Sequence, residues 1–378
     1  MIYICSFAIT AGLIWIVEHS KKNKYNRVVV IIALLIPCLL AALRDPSIGT
    51  DYEVYLKPIF LNALKSSSFI EYLNSRWYSI WRYIYVKDWE IGFTTIIYIV
   101  SKLTHSLQLC AFVVEAFIIF PTYGAIKNCS HDKNKAFSVF IYLFTFFNIS
   151  LNNMRQFIAI GFLLLAFSYM LSSNHNIKRA IVYCVISILF HSTAIIGVAF
   201  YCIFIFIVKK VKKRRFEYNK NNYKKIVRMI FVGICVIFAV YSVLKIPVIK
   251  SLFYNYGWYL RGDFSFMPNQ IILRLPILLL YLICWKKQST DEKYLYGVLL
   301  IIEIVFSQLA GMSSQTIRIT YYCSSFYVIS IPYFLNWKHI TTLHSVSSLA
   351  IHVYFVIYWL YMYVISGVGA TYPYIFYK

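Results

Sequence analysis

The chain has 378 residues, of which 60% are hydrophobic and 13% charged, and its mean hydropathy is +0.66. Soluble domains carry about 25% charged residues, so this composition excludes a soluble globular protein and a disordered one. The apolar runs are continuous, which also excludes a membrane β-barrel, whose strands would be about ten residues long with alternating polarity. A net charge of +23 would suggest nucleic acid in a soluble chain, but in a membrane protein Lys and Arg collect in cytoplasmic loops. No nucleic acid is expected as a partner; the lipid bilayer is.

A span needs about 20 apolar residues. The fold class expected is all-α: a polytopic integral membrane protein of about twelve transmembrane helices. The apolar runs lie near 2–19, 28–43, 107–126, 136–150, 155–172, 179–190, 192–208, 227–245, 271–285, 294–310, 317–336 and 345–366. The loop 20–27, with Lys21, Lys22, Lys24 and Arg27, is placed inside by its charge. So is the loop 209–226, with Lys209, Lys210, Lys212, Lys213, Arg214, Arg215, Lys220, Lys224 and Lys225. Both chain ends and a long loop, about 44–90, then fall outside, and so does a second loop, about 246–270. An odd number of crossings must separate 44 from 209, so the weaker apolar segment 91–104 is read as a re-entrant or interfacial helix. Phe69, Leu73, Trp77, Ile80 and Ile84 recur at helical spacing, which predicts an amphipathic outside-loop helix near 68–85 lying in the membrane interface. No repeat or linker divides the chain, so residues 1–378 read as a single membrane domain. The nine cysteines form no pattern with metal-ligand spacing, and neither a metal nor a cofactor is expected.

The candidate site is marked by cations where the topology does not call for them. Arg44, Arg155, Arg261, Arg274 and Arg318 fall at the outer face or within spans. An Arg inside a membrane costs about 2.5–3.5 kcal/mol on insertion scales, so it tends to have a partner or a function. Guanidinium groups grip phosphate in bidentate fashion and stay charged; five on one side suggest a clamp for a phosphate or diphosphate. Arg44-Asp45-Pro46-Ser47-Ile48-Gly49-Thr50-Asp51-Tyr52 follows the second span, where Pro46 and Gly49 force a turn. Asn152-Asn153-Met154-Arg155-Gln156 opens a later span, and His191 interrupts an apolar stretch at similar depth. His191, Asp45 or Asp51 could activate an acceptor hydroxyl. Gln156, Asn152 and Asp263 are candidate substrate-binding groups, and Trp77, Trp81, Trp89, Trp258 and Tyr259 could stack on sugar rings.

Arg44-Asp-Pro-Ser-Ile-Gly-Thr-Asp51-Tyr, Met154-Arg155-Gln156, Phe190-His191-Ser192-Thr193-Ala194, Arg318 entering a Tyr-rich span and the closing Tyr372-Pro373-Tyr374 together resemble the EpsG family of Wzy-type polysaccharide polymerases. The resemblance implies a glycosyltransferase of the bacterial cytoplasmic (inner) membrane whose active site faces the periplasm, as in O-antigen and related lipopolysaccharide biosynthesis. Its partners would be undecaprenyl-diphosphate-linked glycans as donor and acceptor, with a possible chain-length regulator. Two alternatives remain: a flippase for the same lipid-linked unit, with charge lining a central path, and a membrane sugar O-acyltransferase, whose His and Arg would face the cytoplasm.

Overall fold

The computed structural model describes residues 1–21, 24–79, 82–129, 134–171, 176–201, 265–288, 292–311, 316–337 and 341–377. The expected span 227–245, the basic loop 209–226, most of the loop 246–270, and Arg261 and Asp263 lie outside them. Among the described residues the secondary structure is helical apart from one two-stranded hairpin and one isolated bridge. Among the described residues six helices are long and apolar enough to cross a membrane: Ile2–His19, Leu107–Cys129, Met154–Leu171, Pro268–Lys287, Glu292–Gly311 and Thr342–Ile365. Shorter apolar helices cover Asn26–Ala42, Ile91–Thr104 and Lys135–Ser150. At 1.5 Å per residue the helix Ile91–Thr104 is about 21 Å long, less than the ~30 Å hydrocarbon core.

Two expected elements are corrected. The amphipathic helix near 68–85 is instead a short helix, Phe69–Asn74, followed by strands β1 (Arg76–Ser79) and β2 (Arg82–Tyr85). Ser68 caps the helix by accepting from the Glu71 N–H, and the chain turns extended at Ser75. Aromatic and β-branched residues then alternate through Arg76-Trp77-Tyr78 and Tyr83-Ile84-Tyr85, a pattern that fits a pleated pair. Trp77 and Ile84 do share a face, but as cross-strand partners. The span expected at 317–336 is broken into a 3-10 turn, Thr316–Thr320, and helices Tyr321–Ser324 and Tyr327–Leu335.

The described residues pack into two compact units that interleave along the chain. One comprises Met1–Val198, Tyr327–Pro332 and His352–Lys378; the other comprises Ala199–Phe326 and Tyr333–Ile351. In the first unit, Tyr3 and Phe7 of the opening helix pack their rings against Phe144, Phe147 and Trp359 at centroid distances of 5.2–6.3 Å. In the second, Phe334 lies over Tyr281 at 4.1 Å, and the Gln288 Nε2 donates to the carbonyls of Tyr333, Phe334 and Asn336.

Candidate active site

Three helix ends meet in the first unit. Glu90 stands immediately before the helix Ile91–Thr104, Arg155 lies in the first turn of Met154–Leu171, and His191 follows the last turn of Ile177–Phe190. Gly92 makes the meeting possible: a Cβ there would lie 2.8 Å from the Leu189 carbonyl oxygen, so only glycine lets this backbone approach so closely. Glu90 is thereby brought against His191 and the residue that follows it.

The Glu90 carboxylate holds both cationic partners. One oxygen pairs with Arg155 Nη1. The other accepts from His191 Nδ1 at 2.9 Å, from the Ser192 backbone N–H at 3.2 Å and from Ser192 Oγ at 3.5 Å. All three of the principal side chains are 15% exposed, so the charges are only weakly screened by solvent. Burial pushes the Glu90 carboxyl upward, but the His191 hydrogen bond and the Arg155 charge outweigh it and hold the group well below the usual carboxylate range. The Arg155 guanidinium lies 4.1 Å from the ring centroid of Trp89 and 5.0 Å from that of Tyr55, so cation–π contacts fix its plane. Trp89 in turn lies 4.9 Å from Tyr55 and is nearly parallel to Trp77, at 11° and 6.4 Å.

The other sequence candidates fall in three groups. The first surrounds the turn after Ala42. Arg44 is 1% exposed, lies over the Tyr52 ring at 5.1 Å, and has no hydrogen-bond partner for its Nε among the described residues. Its backbone bridges to Phe376, flanked by bonds from Asp45 N to Ile375 O and from Tyr377 N to Leu43 O, both 2.8 Å. Asp45 folds its own turn: Oδ1 accepts from the Ser47 N–H at 3.0 Å and the Ser47 hydroxyl at 2.6 Å. Gly49, at φ +84°, carries the chain through that turn. Asp51 is buried at the head of the π-helical turn Tyr52–Leu56.

Asn152 forms the second group. Its Oδ1 accepts from Thr50 N at 2.7 Å and from Thr50 Oγ1 at 3.2 Å, and its Nδ2 donates to Gly369 O at 2.6 Å. It therefore ties the Gly49–Thr50 turn to the segment near the closing tyrosines, and Tyr374 Oη completes that closure by donating to Leu40 O at 2.8 Å. Gln156 is buried one residue after Arg155. Tyr52 and Tyr55, on one π-helical turn, supply ring faces to Arg44 and Arg155 respectively.

The third group lies in the second unit. Arg274 Nε donates to Glu303 at 2.5 Å, and its Nη1 donates to Gln270 O and Oε1 at 2.8 and 2.9 Å. Its charge is already matched by an acid on the neighbouring helix. Arg318 sits in the 3-10 turn Thr316–Thr320 of the same unit. The first unit thus brings Arg155 and His191 together, with Asn152 close by in sequence, while Arg274 and Arg318 belong to the other unit.

The central residue, Glu90, was not among the sequence candidates. A search for unexplained cations passes over the acid that balances them. The available signal was the last carboxylate of a long loop, beside Trp89 and just ahead of a short apolar helix.

The sequence profile of the EpsG family matches residues 27–376. No curated protein and no solved structure matches the chain. The match spans every motif segment drawn together here, and the chain belongs to the EpsG family, whose members are of the Wzy-like polysaccharide-polymerase type, and is a multi-pass membrane protein.

Proposed function

We propose that the protein is a membrane glycosyltransferase that polymerises undecaprenyl-diphosphate-linked oligosaccharide repeat units at the periplasmic face of the inner membrane. Twelve crossings with both ends outside complete this reading. The observation that carries it is the Glu90–His191 pair beside a ring-mounted Arg155. With its Nδ1–H held by a carboxylate, an imidazole is fixed in the tautomer whose basic nitrogen is Nε2, and the carboxylate stabilises the imidazolium that forms on proton uptake.

In the proposed step, His191 takes the proton of the acceptor sugar hydroxyl. The acceptor oxygen bonds to C1 of the donor sugar, the C1–O bond to phosphate breaks, and the diphosphate leaves with that electron pair. Arg155 faces the developing negative charge, held in place before the reaction so that little reorganisation is needed. Ion pairing with Glu90 tempers its charge at rest; protonation of His191 draws Glu90 toward the imidazolium and leaves Arg155 more available as the leaving group ionises. Arg318, which belongs to the second unit, is proposed separately as a diphosphate ligand. Asp45, engaged in its own turn, and Arg274, matched by Glu303, are given positioning roles.

The test is a deletion strain whose surface polysaccharide is run on a gel beside the wild type. A single capped repeat unit in place of a ladder is the expected result. A full ladder overturns the proposal; loss of even the single unit, with precursor retained inside, would favour the flippase alternative.

A further inference from the structure

The hairpin does more than link the short helix to Glu90. Its register pairs Arg76 with Tyr85 and Tyr78 with Tyr83, so these four residues share the face opposite Trp77 and Ile84. The inward face is packed: Ile84 is buried, and Trp77 stacks on Trp89 beside the charged site. The outward face is open, with Tyr78 61% and Tyr83 58% exposed and their rings in a T-shaped pair at 5.4 Å. Arg76 lies over the rings of Tyr83 and Tyr85 at 4.5 and 5.9 Å, and Lys87 lies over Tyr85 at 5.1 Å. Arg82 is exposed too but, paired with Ser79, falls on the face of Trp77 and Ile84. The nearest acid in sequence, Asp88, accepts the Tyr85 N–H at 2.9 Å.

We infer that this face is a subsite that retains the glycan, built for saccharide units bearing carboxylates. Resting on the polymerase reading, it adds a place where the chain is held while its end lies at Glu90, Arg155 and His191. Exposed rings offer flat apolar faces to sugar rings; across 75–89 the cations Arg76, Arg82 and Lys87 outnumber the single carboxylate of Asp88, and this net positive charge selects an acidic occupant. Four residues separate Tyr85 from Glu90, so the subsite adjoins the reaction centre by direct chain continuity.

Calorimetry on the full-length protein in phosphatidylcholine nanodiscs tests this, with oligogalacturonate as the probe and a neutral maltooligosaccharide of equal length in parallel. Oligogalacturonate should bind, weaken with added salt, and weaken at least tenfold in R76A/Y83A. The exposed charge reversal K87E should also weaken binding, without touching the hairpin pairing beneath. In cells, either variant should shorten the modal length of the polysaccharide ladder while leaving its first rungs. Equal binding by the neutral probe, or unchanged binding and ladder in both variants, overturns the inference. So does an affinity of the hairpin for phosphatidylglycerol nanodiscs without one for oligogalacturonate, which would make it a lipid-headgroup contact. A deletion strain with a full ladder would instead defeat the polymerase reading itself, whatever the probe binds.

Discussion

Replacing Glu90 with Gln is the sharpest test of the site. The amide nearly preserves shape and keeps one oxygen acceptor, but it removes the charge facing Arg155 and His191. Each charge-assisted hydrogen bond contributes about 1.5–3 kcal/mol, against about 0.5–1.5 kcal/mol for a neutral one. The amide oxygen can keep only one of the two bonds, because the amide nitrogen does not accept, so the loss is about 2–3 kcal/mol. If it falls on the transition state, where the imidazolium needs its carboxylate, the rate drops by about 30- to 150-fold. The lost tautomer control adds to this, since positioned acid–base groups are worth about 10²–10⁴ in rate. The assay is initial polymerisation rate with purified protein in nanodiscs and lipid-linked repeat unit, alongside thermal stability of the same sample. A fall of about a hundredfold or more in turnover with the fold retained is expected. Turnover within threefold of wild type would refute the role of Glu90 in holding His191.

Gly92→Ala should act on the same geometry from a distance: the added methyl meets the Leu189 carbonyl and moves Glu90 off His191, lowering activity at least tenfold in the same assay. Arg274→Gln and Glu303→Gln should each destabilise the protein by about 3–5 kcal/mol, because each strands a buried partner, while the double variant should recover most of that loss; thermal unfolding of the set reads it out, and a stable but inactive double variant would return Arg274 to the diphosphate clamp. Asn152→Ala should lower stability by about 1–3 kcal/mol through its lost bonds to Thr50 and Gly369, measured the same way. Because the folded Glu90 carboxyl sits below its ordinary range, its contribution to stability is complete above about pH 4.3 and declines as pH falls from there toward the lowered folded value; melting temperatures of wild type should drop with acidification over that window more steeply than those of E90Q.

Much of the helical framework was legible in the sequence, because a long apolar run has few alternatives in a bilayer. The helices Ile2–His19, Leu107–Cys129 and Met154–Leu171 begin and end within a few residues of the hydropathy breaks. The hairpin was not legible from spacing alone. Positions 77 and 84 are seven apart, which puts them on one face of a helix and equally on one face of a tight antiparallel pair; only the β-forming composition separates the two. The break in the helix after Ser324 also escaped, since nothing in Cys323-Ser324-Ser325-Phe326 interrupts hydropathy. The site divided along a similar line. Arg155 and His191 stand out as polar residues in apolar surroundings, whereas Glu90 lies in a loop where a carboxylate needs no explanation, and its importance appears only when Gly92 lets two helices touch.

The pairing of Arg44 with Phe376 bears on the order of assembly. The two residues are more than 300 positions apart, and Asn152 joins Thr50 to Gly369 across a similar interval. Contacts of such wide separation form late, because the intervening chain must first be placed. The turn bearing Asp45 and Asp51 therefore stays unlatched during synthesis until the helices between are inserted and Thr342–Trp359 has brought the residues near 370 into place. A half-inserted chain would lack the support behind Tyr52 and Tyr55, and with it the ring faces that seat Arg44 and Arg155.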